Sequence, residues 1–359
     1  MKDKDILFLK ILFFAGLGCF IANSQGVGGS IFVLAVLLFI VGLVLLIKGG
    51  DWFVDGASAI AEKFKVPEIL IGATVVSIGT TLPEVMVSSQ AAAKGNSGMS
   101  YGNAIGSIIC NVSLIAAITL AVKPAKTKRK PMLVPVGFFF AAALLYSLTA
   151  YISGNFTRVT GIILLLIFVT YMVIVVIQAL KSKGDAEEEA TDSGDEEKKE
   201  MPILKAIILL IFGAAIIAFG ATLLVDNGTI IAQKIGVPDS VIALTVVALG
   251  TSLPELVTAI TSLIKGHGSL SLGNIIGANL FNLVLVSGLA ITIRPFSIPS
   301  EKMFLNTGIN SSLVVDIPLM LGVMLILTLP PLLKEKLYRW QGIALLMLYF
   351  GFCVFQFVA

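Results

Sequence analysis

The sequence predicts an all-α membrane protein with ten core transmembrane helices arranged as two inverted five-helix repeats. Three observations predict this. Hydrophobic residues fill 57% of the 359 positions and charged residues only 13%, where a soluble domain carries about a quarter charged. Mean hydropathy is +0.99, and apolar runs of about 20 residues recur along the chain, each long enough to cross the hydrocarbon core. Finally, the two halves of the sequence repeat one another, with an odd number of spans in each.

The spans read at about 30–48, 66–93, 100–122, 131–151, 157–180, 202–223, 237–264, 271–293, 313–332 and 340–358. An earlier apolar run, from Ile6 to Ala22, makes residues 1–29 either an extra span or a cleaved signal peptide. The chain then divides into a first repeat (30–180), a linker (181–201) and a second repeat (202–359). The linker, KSKGDAEEEATDSGDEEKKE over 181–200, is acidic and almost free of apolar side chains, which predicts a disordered spacer. Orientation follows from Lys and Arg in short loops. The stretch from Lys123 to Lys130 is the most basic, so it is expected to be cytoplasmic. Alternation puts the 181–201 linker and the Lys334–Arg339 loop on the same side.

Composition also excludes function classes. A net charge of +3 gives no reason to expect nucleic acid as a partner. Cys19, Cys110 and Cys353 are far apart within apolar runs, which suits neither disulfides nor a metal cluster. The one histidine, His267, is expected to be a surface loop residue. HExxH, GxSxG and an intramembrane aspartate dyad are all missing, so an enzyme is not expected, nor is a cofactor. Asp51, Asp55, Asp226 and Asp316 lie near span ends, where snorkelling accounts for them.

The duplication is the most informative feature. Residues 72–121 align with 243–292 without a gap, an offset of 171 (243 minus 72). TVVSIGTTLPE (74–84) matches TVVALGTSLPE (245–255), and YGNAIGSIICN (101–111) matches LGNIIGANLFN (272–282). Lys94-Gly95 matches Lys265-Gly266, and Asp55 matches Asp226. With five spans per half, the second copy enters the membrane from the opposite side. Such inverted repeats place substrate near the midplane where the repeats meet, and they favour a carrier over a channel.

Glu84 and Glu255 occupy matching mid-span positions. A carboxylate there costs about 2.5–3.5 kcal/mol on insertion scales and therefore marks a working site. Ser77, Thr80, Thr81 and Glu84 share one helix face by their spacing, and the second copy gives Ala248, Thr251, Ser252 and Glu255. Pro83 and Pro254 cannot donate to the carbonyls of Gly79 and Gly250, which predicts kinks with free backbone oxygens. On the next span Asn103, Ser107 and Asn111 share a face, as do Asn274, Ala278 and Asn282. Gly102, Gly106, Gly273 and Gly277 are read as helix-packing glycines. The donors are hard oxygens, which suit calcium or sodium rather than zinc or copper. Two carboxylates this close repel one another unless a cation or proton lies between them, which is a physical root for obligatory exchange.

At these residues the sequence resembles the cation/calcium antiporter superfamily, and within it the prokaryotic sodium/calcium exchanger-like branch. The G-T-[ST]-L-P-E motifs at 79–84 and 250–255 look like that family's α-repeats, as do GNAIGSIICN and GNIIGANLFN. Gly50-Asp51-Trp52-Phe53-Val54 and Arg339-Trp340-Gln341-Gly342 are further similar stretches. The resemblance implies a monomeric antiporter in the cell membrane, with the lipid bilayer, calcium and sodium as its partners. It implies calcium at Glu84 and Glu255, with backbone oxygens from Thr80 and Thr251. Flanking sodium sites would draw on Ser77, Thr81, Ser107, Ala248 and Ser252, and Asn111 and Asn282 would complete the centre. The first helix of each repeat, 30–48 and 202–223, would slide to open one side or the other. Two departures stand out. Asn282 replaces an aspartate that some relatives tie to potassium, and Ala278 replaces a serine. The missing hydroxyl leaves proton-coupled exchange of calcium or another divalent cation as the alternative.

Overall fold

In hydrocarbon a backbone amide has to find its partner within its own segment, and helices meet that demand. The computed structural model describes residues 28–124, 127–189, 201–234, 250, 252–299, 304 and 309–358. Ten helices lie among them: α1 Gly28–Lys63, α2 Glu68–Ala93, α3 Ser97–Val122, α4 Arg129–Ile152, α5 Arg158–Glu189, α6 Ile203–Lys234, α7 Leu253–Ile264, α8 Gly268–Ile293, α9 Ser312–Lys334 and α10 Arg339–Val358. The first five and the last five form the two inverted repeats.

Several boundaries differ from the sequence reading. Helices α1 and α6 run well past positions 48 and 223, to Lys63 and Lys234. Hydropathy locates where the apolar run ends, but alanine, lysine and glutamate continue a helix without it. The same reason carries α5 to Glu189, into the segment read as a linker starting at 181. Residues 1–27 of the N-terminal segment, linker residues 190–200, and residues 237–249 and 251 of the predicted 237–264 span lie outside the described residues.

Burial sorts the helices into centre and periphery. In α8, 83% of the most apolar stretch is buried, and in α3 72%, against 22% in both α1 and α6. Helices α2, α3, α7 and α8 therefore make the centre, while α1 and α6 pack side by side along the outside. Small residues set that outer seam. A Cβ at Gly42 would come within 2.9 Å of the Gly220 carbonyl oxygen, and one at Gly213 within 2.6 Å of the Phe53 nitrogen. A Cβ at Gly56 would meet the Ala206 carbonyl oxygen at 2.6 Å. Early positions of α1 thus face late positions of α6, so the pair is antiparallel, as inversion requires. Gly42 and Gly213, like Gly49 and Gly220, are related by the repeat offset, so duplicated glycines line both sides of the seam.

The loops close the two ends. On the face carrying the basic Lys123–Lys130 stretch, the Thr127 and Arg129 amides donate to the Glu335 backbone and side chain at 3.1 and 3.0 Å. On the opposite face, β1 (Asn155–Phe156) pairs antiparallel with β2 (Phe296–Ser297) in the register Asn155↔Ser297 and Phe156↔Phe296. Phe156 is buried against Tyr146, with ring centroids 4.5 Å apart.

Gly213→Val tests the seam. The branched side chain would collide with backbone atoms of α1, which cannot move aside as a flexible side chain would. We expect a loss of about 1–3 kcal/mol, read as a lower melting temperature in detergent. Gly322→Val is the control, because a Cβ there meets nothing within 4 Å among the described residues.

Candidate functional site

The centre is built around irregular helix turns. Helix α2 contains a π turn at Gly72–Val76, α3 one at Asn111–Ala116 and α8 one at Asn282–Val286. The last two begin at the duplicated asparagines (282 minus 111 is again 171). A π turn inserts a residue into the helix and re-aims the side chains around it, and such turns cluster at functional sites. Serines finish two of them: the Ser77 hydroxyl donates to the Gly72 carbonyl at 2.7 Å, and that of Ser287 to Asn282 at 2.9 Å. Buried Tyr171 donates to the Ala73 carbonyl at 2.8 Å within the first.

The proline motifs diverge in shape despite their near-identical sequence. Helix α2 continues through Pro83 from Ser77 to Ala93. In the second copy the helix starts instead at Leu253, with Pro254 in its first turn and Ser252 at a non-helical φ of −91° and ψ of 5°. Proline favours such a start because its missing N–H has no partner there anyway.

These elements bring together most of the residues that the sequence singled out. Glu84, Glu255, Asn111, Asn282 and Thr81 are completely buried, and Ser252 nearly so. Glu84 and Glu255 lie near enough to interact, and Thr80 lies beside Glu255. The π turn of α8 packs on α2, and that of α3 on α7, so each glutamate helix meets the asparagine of the other repeat. Cys110, next to Asn111, lies beside Ser252 and Glu255.

The hydrogen bonding divides this cluster sharply. Asn274 accepts from the Thr80 hydroxyl at 3.2 Å and donates to Thr258 at 3.0 Å, while its carbonyl takes the Ser77 hydroxyl at 3.0 Å. Asn103 donates to the Glu84 carbonyl at 3.2 Å and to Ser88 at 2.8 Å. These residues are satisfied and form a frame. Inside it, both carboxylates, both amides of Asn111 and Asn282, and the hydroxyls of Thr81 and Ser252 have no hydrogen-bond partner within the protein. Those groups supply four carboxylate oxygens, two amide oxygens and two hydroxyls. Eight hard oxygens match the six to eight that calcium takes.

Each predicted site residue can now be located. Glu84, Glu255, Asn111, Asn282, Thr81 and Ser252 are in the unsatisfied cluster. Ser77 and Thr80 belong to the hydrogen-bonded frame, and Ser107 is buried on the α3 face. Ala248 and Thr251 lie outside the described residues. Asn279 escaped the sequence reading. Fully buried in α8, it directs its amide nitrogen to the Met324 sulfur at 3.4 Å and leaves its oxygen unpartnered. Its place one residue after Ala278, off the face shared by Asn274 and Asn282, hid it from spacing arguments. Cys110 is a buried core residue. His267 and two of the aspartates are not merely solvated: His267 Nδ1 lies 2.6 Å from Glu68, and Lys265 bridges Asp51 and Asp55.

Known proteins bear on this geometry. The family model for sodium/calcium exchanger proteins matches residues 34–177 and 205–358, one match per repeat. The sodium/calcium exchanger MaX1 of Methanosarcina acetivorans is 32% identical over 357 residues, covering 89% of this chain and 98% of that protein. The inner membrane protein YrbG of Escherichia coli is 37% identical over 273 residues, covering 73% of this chain and 81% of that one. Among solved structures, the sodium-calcium exchanger NCX_Mj soaked with sodium and strontium superposes with a TM-score of 0.71 at 32% identity, covering 89% of this chain and 97% of that one.

The unsatisfied cluster makes a thermodynamic prediction. Each buried polar group without a partner costs about 1–3 kcal/mol, so Asn282→Leu should stabilise the protein in sodium- and calcium-free buffer. Its melting temperature there should rise by a few degrees. If calcium binds here, the wild-type gain in melting temperature on adding calcium should disappear in the same variant.

Proposed function

The chain belongs to the sodium/calcium exchanger protein family, and from that premise we propose that it exchanges calcium for sodium across the cell membrane by alternating access. The observation that carries this reading is the group of eight unpartnered oxygens around two fully buried carboxylates. No side chain of positive charge is needed to explain that burial if the cargo supplies the charge. Glu84 and Glu255 would carry the calcium, with Asn111 and Asn282 on either side and Thr81 and Ser252 as hydroxyl donors. Thr80 and Thr251 would add backbone oxygens, and Ser77, Ser107 and Ala248 would border the flanking sodium sites.

Competition follows from charge. Calcium brings two positive charges against two carboxylates, and several sodium ions can replace it only by spreading over the flanking oxygens. Sodium and calcium therefore exclude one another, and the site passes from one to the other without standing bare. The basic face would be cytoplasmic by its lysines and arginines, which puts the 181–201 linker inside. The inner-membrane location named for the Escherichia coli relative supports a plasma-membrane setting. One chain contains both halves of the site, so a monomer suffices.

The test is calcium uptake into vesicles holding the purified chain, with an outward sodium gradient or a proton gradient imposed separately. We expect uptake driven by sodium and accompanied by a membrane potential. Uptake indifferent to sodium but driven by protons would replace this reading with the proton-coupled one. Glu84→Gln and Glu255→Gln should each reduce calcium uptake at least a hundredfold, with unchanged insertion and elution on gel filtration. Near wild-type uptake in either variant would remove the site from Glu84 and Glu255.

A further inference from the structure

The two repeats carry the same loop at opposite faces, and it does different things in each. Lys265-Gly266-His267 joins α7 to α8 on the basic face, and its duplicate Lys94-Gly95-Asn96 joins α2 to α3 on the other. The ammonium of Lys265 lies 2.8 Å from Asp55 Oδ1, 3.3 Å from Asp51 Oδ1 and 2.9 Å from the Asp51 carbonyl. His267 Nδ1 lies 2.6 Å from Glu68 at the start of α2. This loop therefore ties α1 and α2 down on the basic face. Under the repeat offset Lys265 corresponds to Lys94 and Asp55 to Asp226 of α6. Yet Lys94 and Asp226 are both exposed, and among the described residues no ion pair joins them.

The packing beneath the latched loop is close. On the basic half, α2 and α8 are pressed together. A Cβ at Gly72 would come within 2.3 Å of the Leu270 carbonyl oxygen, and one at Gly273 within 2.2 Å of that of Ile69. The basic half is sealed and latched, whereas among the described residues the Lys94–Asp226 pair at the opposite face is unmade.

We infer that Lys265 with Asp51 and Asp55, and Lys94 with Asp226, are alternating latches: the second pair closes in the state that faces the other way. The argument is one of pseudo-symmetry. In an inverted repeat the opposite-facing state arises when the two halves exchange conformations around a fixed site. Exchange turns the Lys265 contact with α1 into a Lys94 contact with α6. These residues position the peripheral helices and touch no cargo. Their partial exposure suits the task, because an ion pair at a helix end shifts a population by about two- to fivefold and does not trap it. The latches are unequal. Thr222 stands where Asp51 stands and Asn96 where His267 stands, and Asn96 instead caps α3 by accepting from the Met99 amide at 3.0 Å. The basic face thus holds more charged ties, which biases the empty protein toward the state captured here.

This inference rests on alternating access in the proposed function, and cross-linking separates the two. In full-length chain with Cys19, Cys110 and Cys353 replaced, one variant carries Asp55→Cys with Lys265→Cys and another Asp226→Cys with Lys94→Cys. A short bifunctional methanethiosulfonate is applied in vesicles without calcium or sodium. We expect the first pair to cross-link efficiently and the second weakly. Separately, Lys265→Gln should raise cross-linking of the second pair about two- to fivefold. Lys94→Gln should shift the apparent calcium affinities measured from the two faces oppositely to Lys265→Gln. The charge swap Lys94→Asp with Asp226→Lys should restore the wild-type ratio, which a merely structural role would not require. Calcium exchange with no cross-linking of the Asp226–Lys94 pair would overturn the latch while leaving the exchanger reading intact. Reciprocal cross-linking without any calcium transport would uphold the latch and overturn that reading.

Discussion

Two carboxylates are buried in the centre of this protein without a hydrogen-bond partner among its own groups. Glu84 and Glu255 are fully buried, and none of their carboxylate oxygens has a hydrogen-bond partner within the protein. Folded proteins pair roughly nine in ten or more of their buried polar groups, so a concentration of exceptions needs a cause. Here the exceptions are ringed by polar groups that are satisfied. Asn274 takes up Ser77, Thr80 and Thr258, and Asn103 holds the Glu84 backbone and Ser88. The frame fixes positions, and the interior oxygens have no partner within the protein, as the proposed ion site requires. A fully bonded interior would be more stable and would bind nothing.

Duplication supplies the geometry in which two such carboxylates can meet. One copy of the motif carries one glutamate, and only inversion brings the second to the same depth from the other side. The asparagine π turns complete the exchange, since each packs on the glutamate helix of the opposite repeat. Chemical equivalence does not extend to conformation. Helix α2 passes through its proline while α7 begins at the matching one, and Lys265 is paired across the basic face where, among the described residues, Lys94 is not paired with Asp226. Two copies of one sequence hold two shapes, and that is the condition a two-faced carrier requires.

Much of this was legible in the sequence because its signals are strong in hydrocarbon. Apolar runs gave the ten helices, the offset of 171 gave the symmetry, and mid-span glutamates gave the centre. What escaped depends on energies that hydropathy does not register. The ends of α1, α5 and α6 follow helix propensity beyond the last apolar residue. The π turns follow from packing around Asn111 and Asn282, whose spacing also fits an uninterrupted helix. Ser77 looked like Thr81 by spacing, yet one hydroxyl caps a turn and the other has no partner. Asp51, Asp55 and His267 looked like ordinary surface groups because their partners, Lys265 and Glu68, are about 200 residues away in sequence.

The distribution of strong and weak interactions explains how such a molecule can move. Its strongest demand for charge is at the centre, at Glu84 and Glu255. Along the outside, α1 and α6 meet through glycines on both helices, so a displacement exchanges one set of close backbone contacts for a similar set. Dispersion contacts replaced like for like leave little net barrier. The ion pairs at the ends add only modest bias, since half-exposed charges remain largely screened. In the proposed exchange, differential ion binding would then have only a small scaffold difference to overcome, and a small difference in affinity between the two faces would be enough. Had the seam been built from interlocking large side chains, the same ion energy would have been spent on repacking. The glycines of α1 and α6 thus serve the central carboxylates, by keeping the energy of the scaffold small beside the energy of the cargo.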